Sequence, residues 1–312
     1  MKAIVYAKYG SPEVLHMIET DKPVPKDNEI LVRVSATTVS SGTLWARSGK
    51  HPDSKIFTFA IRLMFGLRKP RKKNLGYEFS GEVEAVGKDV ALFRINDKVF
   101  GTTTGLKFGA YAEYLCLPED RKQGVVAIKP ENISHDEAAA VPCGAMAALY
   151  VLRKANISKG QKVLIYGASG SVGTYAVQLA SCFGSDVTAV CSSSNLELVA
   201  SLGAHKVIDY TKEDFTGTPD TYDVVFDAVG KLSRSSGKKV LKKNGCYLSI
   251  KSPTSEKTEN LLYIKELIET GKIRPVIDRS YPLEHTAEAH AYSDGGHKKG
   301  NVVITIDHKS DK

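Results

Sequence analysis

The stretch Gly167-Ala168-Ser169-Gly170-Ser171-Val172-Gly173 follows the apolar run Val163-Leu164-Ile165-Tyr166, and its Val172 recurs at helical spacing with Ala176, Leu179 and Ala180 behind it. That pattern predicts a buried strand over Lys162 to Tyr166, a glycine turn, and a helix opening on the turn. A pyrophosphate carries two charges that need donors, and a helix start offers unpaired N–H groups at the positive end of its dipole. Gly170 lets backbone approach phosphate, and Gly173 lets the helix lie close on the strand. Against the pattern G-x-G-x-x-G the first glycine falls at Ala168, so the second and third are kept and Gly167 stands one place early. Gly167, Ser169 and Ser171 also imitate G-x-S-x-G. Ser171 does not supply that motif's last glycine, and no ordered acid and histidine follow. The plainer alternative is a strand-to-helix turn without a ligand.

The end of the next predicted strand, Asp186 to Val190, bears on which dinucleotide is expected. An NAD-binding chain usually carries an acid there for the ribose 2′-hydroxyl. This chain has Cys191, Ser192, Ser193, Ser194 and Asn195, and the nearest acid, Glu197, lies in the following helix. Hydroxyls and amides can donate to a 2′-phosphate, so NADPH is expected over NADH. Tyr210, after the predicted strand Lys206 to Asp209, is placed to close over the same phosphate. No basic side chain stands within the serine run.

Working outward, strands are expected near 163, 187, 206, 224 and 246 with helices between them, an α/β alternation that argues a parallel sheet covered on both faces. Before it, Ser134 and Glu137 form a capping box for a helix running to about Lys154. Residues 1 to about 125 read differently. Short strands over Lys2 to Ala7, Glu29 to Ala36, Phe79 to Val86, Lys98 to Phe100 and Tyr111 to Leu117 are punctuated by Gly and Pro, as in a small β-barrel. The tail returns to strand character at Val276 to Asp278 and Asn301 to Ile306, around a helix from Leu283 to Tyr292, and is expected to rejoin the first domain.

Composition narrows the function classes. The 312 residues suit about two domains, and 42% hydrophobic with 25% charged content is ordinary for a globular chain. The N-terminus runs straight into a strand, with no signal segment expected. Ile56 to Leu67, interrupted by Thr58, Arg62 and Gly66, is shorter than the ~20 residues of a spanning helix. Cys116, Cys143, Cys182, Cys191 and Cys246 lack paired spacing and are expected to be reduced and mostly buried, in the cytoplasm. The net charge is +8, with clusters at Arg68, Lys69, Arg71, Lys72, Lys73 and at Lys238, Lys239, Lys242, Lys243. Neither has interleaved aromatics or a nucleic-acid motif, so no nucleic acid is expected as a partner. The positive field would also draw in a phosphate-rich cofactor.

Five motifs together resemble the zinc-independent medium-chain dehydrogenase/reductases of the quinone oxidoreductase type. They are Leu75-Gly76-Tyr77-Glu78-Phe79-Ser80-Gly81 with Val83, Val86 and Gly87; Gly109-Ala110-Tyr111-Ala112-Glu113-Tyr114; Ala138-Ala139-Ala140-Val141-Pro142; the glycine turn; and Tyr222-Asp223-Val224-Val225-Phe226-Asp227-Ala228-Val229-Gly230. The resemblance implies a GroES-like β-barrel catalytic domain over 1–125, completed by 272–312, and a Rossmann NADPH-binding domain over 126–271, shortened after residue 250. It implies a reductase of quinones or α,β-unsaturated carbonyls. Implied cofactor contacts are Gly167, Ala168, Ser169, Gly170, Ser171, Val172, Gly173, Ser192, Ser193, Asn195, Tyr210, Ala228 and Val229.

No zinc and no flavin are expected. Zinc relatives carry Gly-His-Glu where this chain has Gly76-Tyr77-Glu78, and a ligand cysteine early in the segment reading Val39-Ser40-Ser41-Gly42. The four-cysteine lobe is also missing, Cys116 standing alone in its region. His285 and His290, five apart, do not share a helix face as i, i+4 ligands would, and His51 reads as a surface group. Metal-free hydride transfer from C4 of NADPH to an enone or quinone then needs geometry and a donor to the developing enolate oxygen. Candidate donors are Ser40, Thr43, Trp45, Lys50 and Tyr77, each of which could equally be an ordinary barrel-rim residue, with backbone N–H groups as rivals.

Departures from the family cluster at the reactive end. Relatives commonly have Asn-Pro-any-Asp at Ser40-Ser41-Gly42-Thr43, alkenal reductases often a lysine at Trp45, and many a threonine at Ala147. Between Ile250 and Glu259 relatives insert a few dozen residues where this chain has Lys251 to Thr258. That stretch usually supplies sheet, nicotinamide wall and a dimer edge, so a homodimer is left open. Lys55 to Lys73 joins apolar residues to a basic end. It is read either as a greasy lid over a lipophilic acceptor near a membrane surface or as a packing helix between barrel and cofactor domain. A second function class follows from the altered reactive end: an NADPH-binding protein with weak or no turnover that senses redox state or binds a partner.

Overall fold

The computed structural model describes residues 1–308 except 53, 107, 108 and 253. Its strands are β1 Lys2–Val5, β2 His16–Glu19, β3 Glu29–Val39, β4 Glu78–Val86, β5 Lys98–Thr102, β6 Tyr114–Pro118, β7 Val126–Ile128, β8 Lys162–Tyr166, β9 Asp186–Cys191, β10 Lys206–Asp209, β11 Tyr222–Asp227, β12 Leu241–Ser249, β13 Ile277–Pro282 and β14 Asn301–Thr305. The helices are α1 Ser41–Ser48, α2 Lys55–Phe65, α3 His135–Ala139, α4 Pro142–Lys154, α5 Ser171–Cys182, α6 Leu196–Ser201, α7 Arg234–Lys239, α8 Thr258–Glu269 and α9 Thr286–Asp294. Two compact units result, Met1–Pro142 with Ile277–Lys312, and Cys143–Val276.

The first unit is the GroES-like one. A sheet in the order β13-β14-β3-β4-β5-β7, with β6 also on β3, is antiparallel apart from the β13–β14 pair. Alternating side chains of β3 and β4, among them Ile30, Val32, Val34, Phe79 and Val83, fill one core with Tyr6 and Tyr111. β14 pairs with β3 from Val302 opposite Val39 to Thr305 opposite Ala36, which returns the tail to this unit.

The expected single helix from Ser134 to Lys154 is two helices. Ser134 and Glu137 do form the capping box, but α3 ends at Ala139 and α4 opens on Pro142. Proline lacks the N–H that would continue α3's ladder, and its fixed φ suits a helix's first turn. α3 packs on β3, β4, β5 and β14, so the first unit extends beyond the 125 expected from sequence.

The second unit is the α/β one. Its sheet is parallel in the order β10-β9-β8-β11-β12 among the described residues. Val163, Leu164 and Ile165 of central β8 are fully buried, as a parallel strand covered on both faces requires. The cysteines depart from expectation in burial: none of the five is in a disulfide, but only Cys191 is buried, Cys182 is exposed and the rest are half-buried. Those four lie on elements with one partly solvated face, where a thiol meets both core and water.

Candidate active site

In the second unit the chain leaves β8 toward β9 on one side and has β11 on the other, so the ends of β8 and β11 form the sheet's switch point. The glycine turn sits there. Gly167 has φ +78°, and a Cβ on it would stand 2.5 Å from Val229 Cγ1, so the turn and the loop after β11 are in contact. The amides of Gly167 and Ala168 donate to the Val190 carbonyl at 3.0 and 3.1 Å, anchoring the turn to β9.

Gly170 caps α5, and the amides of Val172 and Gly173 in the first turn have no carbonyl one turn back to bond. The two glycines serve different purposes. A Cβ at Gly173 would meet the Gly167 carbonyl oxygen at 2.2 Å, so packing demands glycine there. At Gly170 the nearest atom to a Cβ is 3.6 Å away, leaving an open cradle over the helix start. That cradle fits an anion.

Asp227, buried at the end of β11, accepts from the amides of Val229 (3.3 Å), Gly230 (2.8 Å), Lys231 (3.3 Å) and Leu232 (3.2 Å). Ser249 Oγ donates to it at 3.3 Å. One carboxylate therefore shapes the loop that carries Ala228 and Val229, with Val229 41% exposed beside the turn. In the sequence Asp227 is just one letter of the Tyr222 to Gly230 motif, and its organising role appears only with the loop's backbone.

The serine run meets the turn through Asn195, whose Nδ2 donates to Ser169 Oγ at 3.1 Å and Ser192 Oγ at 3.0 Å. Its Oδ1 is buried without a partner. Such an orphan is what a ligand satisfies: an acceptor for a ribose hydroxyl or, with the amide turned over, a donor to phosphate. Ser193 differs from expectation. Parallel pairing sets Asp209 opposite Cys191, and the Ser193 hydroxyl donates to the Asp209 carboxylate, which Thr211 also serves through Oγ1 at 2.6 Å and N–H at 3.0 Å. Ser193, then Thr211, hold that carboxyl below the usual range. An acid therefore does stand beside the run, brought from the next strand. Its signal was the register of two consecutive parallel strand ends. Tyr210, 49% exposed, lies with its ring centre 6.2 Å from that of Tyr166.

In the first unit Ser40, Thr43 and Tyr77 come together. Ser40 caps α1: its Oγ accepts from Thr43 N–H at 3.4 Å, and its own N–H donates to Thr43 Oγ1 at 3.0 Å. Thr43 Oγ1 donates to the Ser40 carbonyl at 2.8 Å, so its proton is committed, while the Ser40 hydroxyl keeps one to give. The Tyr77 ring lies where a Gly42 Cβ would be 2.8 Å from it. Thr103 pins the backbone at this point, its Oγ1 donating to the Gly76 carbonyl and its N–H to that of Tyr77, both at 2.7 Å. Gly76, at φ +100°, lets the Ala110 amide approach within 2.8 Å of its Cβ position. Glu78, buried, accepts from Thr38 Oγ1.

Trp45 and Lys50 are placed elsewhere. The Trp45 ring is 4.6 Å from that of His51, which is also 5.3 Å from Phe57, so His51 is held in an aromatic stack rather than standing free at the surface. Lys50 lines an open cleft of about 480 Å³ with Tyr9, Arg47, Ser48 and Arg62, apart from the small pocket beside Tyr77. Behind α1, the Tyr111 hydroxyl reaches the Thr38 carbonyl at 3.1 Å, Thr43 Oγ1 at 3.4 Å and His290 Nε2 at 2.9 Å. Burial, then the Arg47 charge, lowers the His290 pKa to about 3. His290 Nδ1 is buried and unpartnered, and a bare lone pair costs less there than a bare N–H. The neutral ring therefore carries its proton on Nε2 and gives it to Tyr111.

Comparison with known proteins agrees with both units. Residues 26–130 match the alcohol dehydrogenase GroES-like domain, residues 171–273 match the zinc-binding dehydrogenase family, and a second zinc-binding dehydrogenase description matches 252–304. The chain is 35% identical to 2-methylene-furan-3-one reductase of Solanum lycopersicum, over 97% of this chain and 79% of that protein. It is 34% identical to the chloroplastic NADPH-dependent alkenal/one oxidoreductase of Arabidopsis thaliana, with the same coverage. The solved quinone oxidoreductase of Coxiella burnetii superposes with a TM-score of 0.86 at 30% identity, over 98% of this chain and 99% of that one. With a glycine-turn sheet in one unit and a GroES-like barrel in the other, this chain belongs to the medium-chain dehydrogenase/reductase family, among its quinone oxidoreductase-like members.

Proposed function

We propose that the chain is an NADPH-dependent reductase of α,β-unsaturated carbonyls or quinones that works without a metal. The observation that carries this reading is the open Gly170 cradle at the start of α5 beside the orphaned Asn195 oxygen, a built place for a dinucleotide. Relatives named as an NADPH-dependent alkenal/one oxidoreductase and a quinone oxidoreductase support the acceptor class. Cys143–Val276 serves as the cofactor unit and the barrel unit as the catalytic one.

Bound NADPH supplies a hydride from its nicotinamide ring. The chain does the rest. The Val172 and Gly173 amides take the pyrophosphate at the helix start. Ser192 and Asn195 hold the 2′-phosphate end, Ser193 being engaged by Asp209. Asp227 fixes the Ala228–Val229 loop against the turn. In the barrel unit the Ser40 hydroxyl donates to the oxygen that gains charge on the acceptor, held in place by the Thr43 box. Tyr77 walls the position beside it. The metal-free reading rests on Tyr77 standing where zinc relatives carry a histidine and on the absence of cysteine from Val39-Ser40-Ser41-Gly42, where they carry a ligand cysteine. Five thiols outside any disulfide fit a reducing compartment such as the cytoplasm.

Loss of NADPH absorbance with a panel of short enones and small quinones, beside direct NADPH binding, tests the reading. Turnover with enones or quinones is expected, unaffected by a chelator. Tight NADPH binding with no turnover across the panel would overturn it.

A further inference from the structure

Helix α2 is built with its polarity inverted. Its inner side holds Thr58, Ile61, Arg62 and Phe65 at i, i+3, i+4, i+7, and its outer side exposes Ile56 (82%), Phe59 (63%), Leu63 (58%) and Met64 (74%), followed by Leu67 (54%). The inner side cannot rotate outward. Phe65 belongs to the barrel core, Arg62 Nε donates to the Gly49 carbonyl at 2.8 Å, and the guanidinium lies 4.1 Å over the Tyr9 ring. Thr58 Oγ1 accepts from His51 N–H at 2.9 Å, and Tyr9 Oη donates to the Gly66 carbonyl at 2.7 Å. The charge pattern is equally one-sided. From residue 55 to 77 the cations are Lys55, Arg62, Arg68, Lys69, Arg71, Lys72 and Lys73, with no acid. Arg68, Lys69, Arg71 and Lys73 are exposed just past the helix.

We propose that residues 55–73 dock this protein onto an anionic membrane surface, with α2 lying in the plane of the interface. An apolar stripe flanked by cations and free of acids is complementary to acyl chains beneath a layer of phosphates. A second copy of the chain fits poorly: a two-fold contact would set this cationic rim against itself. The helix has 11 residues, and no helix among the described residues is long and apolar enough to cross a membrane, so the contact is peripheral. The proposal does not depend on the identity of the reductase substrate.

Co-sedimentation with vesicles tests it, comparing phosphatidylcholine alone with phosphatidylcholine containing about a third phosphatidylserine. The protein should partition onto the anionic vesicles and be released by salt. Two variants act on different parts of the segment, Leu63→Ser with Met64→Ser, and Arg68→Gln, Lys69→Gln, Arg71→Gln with Lys73→Gln. Each should lower partitioning more than about tenfold, the charge set by about fivefold per cation, while the thermal midpoint stays unchanged. Three outcomes overturn the proposal: no binding to anionic vesicles, equal binding to neutral ones, or a dimer in ultracentrifugation that dissociates on Leu63→Ser, Met64→Ser without vesicle binding.

Discussion

Ser193 gives its hydroxyl proton to Asp209, a residue sixteen positions later that parallel pairing of β9 and β10 sets beside the serine run. One hydroxyl of the serine run is therefore turned toward a carboxylate, which Lys212 also approaches at 3.8 Å. Removing the charge while keeping the shape, Asp209→Asn, should release Ser193 and relieve repulsion of a phosphate. NADPH affinity is expected to rise relative to NADH by about tenfold, read as the ratio of the two dissociation constants. An unchanged ratio would mean that the phosphate lies elsewhere.

The glycine turn offers a pair of substitutions that separate fold from cofactor. Gly170→Ala places its methyl in open space, so the thermal midpoint should hold within about a degree while NADPH affinity falls about tenfold. Gly173→Ala drives a methyl to 2.2 Å from the Gly167 carbonyl oxygen and should lose both stability and binding. Calorimetric titration with thermal melts distinguishes the two patterns.

Asp227 holds its loop through four backbone amides, so Asp227→Ala leaves the buried Gly230 donor and three half-buried ones without an acceptor. A loss of about 3 kcal/mol or more in unfolding free energy is expected, with weaker NADPH binding in whatever remains folded. Asp227→Asn, retaining one acceptor oxygen, should cost less. Denaturant unfolding of both variants checks the order.

Ser40 and Thr43 share a capping box but differ in what their protons can do. Ser40→Ala should lower kcat on enones about tenfold to a hundredfold with the NADPH dissociation constant unchanged. Thr43→Val loses the box and about 1 kcal/mol of stability, with a smaller effect on kcat. If the two kcat losses are equal, Ser40 is a structural cap and not a donor.

Two histidines contribute to the loss of stability in acid. Burial lowers the His290 pKa to about 3, and burial, then the Lys129 and Lys98 charges, lowers that of His135 to about 4, both from an unfolded value of 6.5. Their neutral forms favour the fold, so the contribution is complete above pH 6.5 and is lost as pH falls toward 4 and then 3. The slope for buried His290 is at most about 1.4 kcal/mol per pH unit. His290→Gln should flatten the decline in stability between neutral pH and pH 4, measured by denaturant midpoint, although its midpoint at pH 7 is lower.

The strand, glycine turn and helix start were legible because their physics is local. A strand, a turn and a helix start are adjacent in the chain, and Gly170 and Gly173 sit where the turn needs them. The barrel tail was legible for the same reason, its strand character being written in Asn301 to Ile306. Other features depended on residues far apart in sequence. Asp209 reaches Ser193 only through strand register, His51 is stacked only because α1 and α2 bring Trp45 and Phe57 to it, and His290 is neutral only because the fold buries it against Tyr111. The outward turn of α2 is of this kind as well. Periodicity marks Ile56, Phe59 and Leu63 as one face, but whether that face meets core or water was decided by the anchoring of Arg62 and Phe65. The sequence by itself determined most of the elements, the family and the glycine turn; the tertiary structure decided where the Ser134 helix breaks, which protons are committed, which acid stands beside the serines and which side of α2 faces out, because hydrogen bonds and burial depend on neighbours in space.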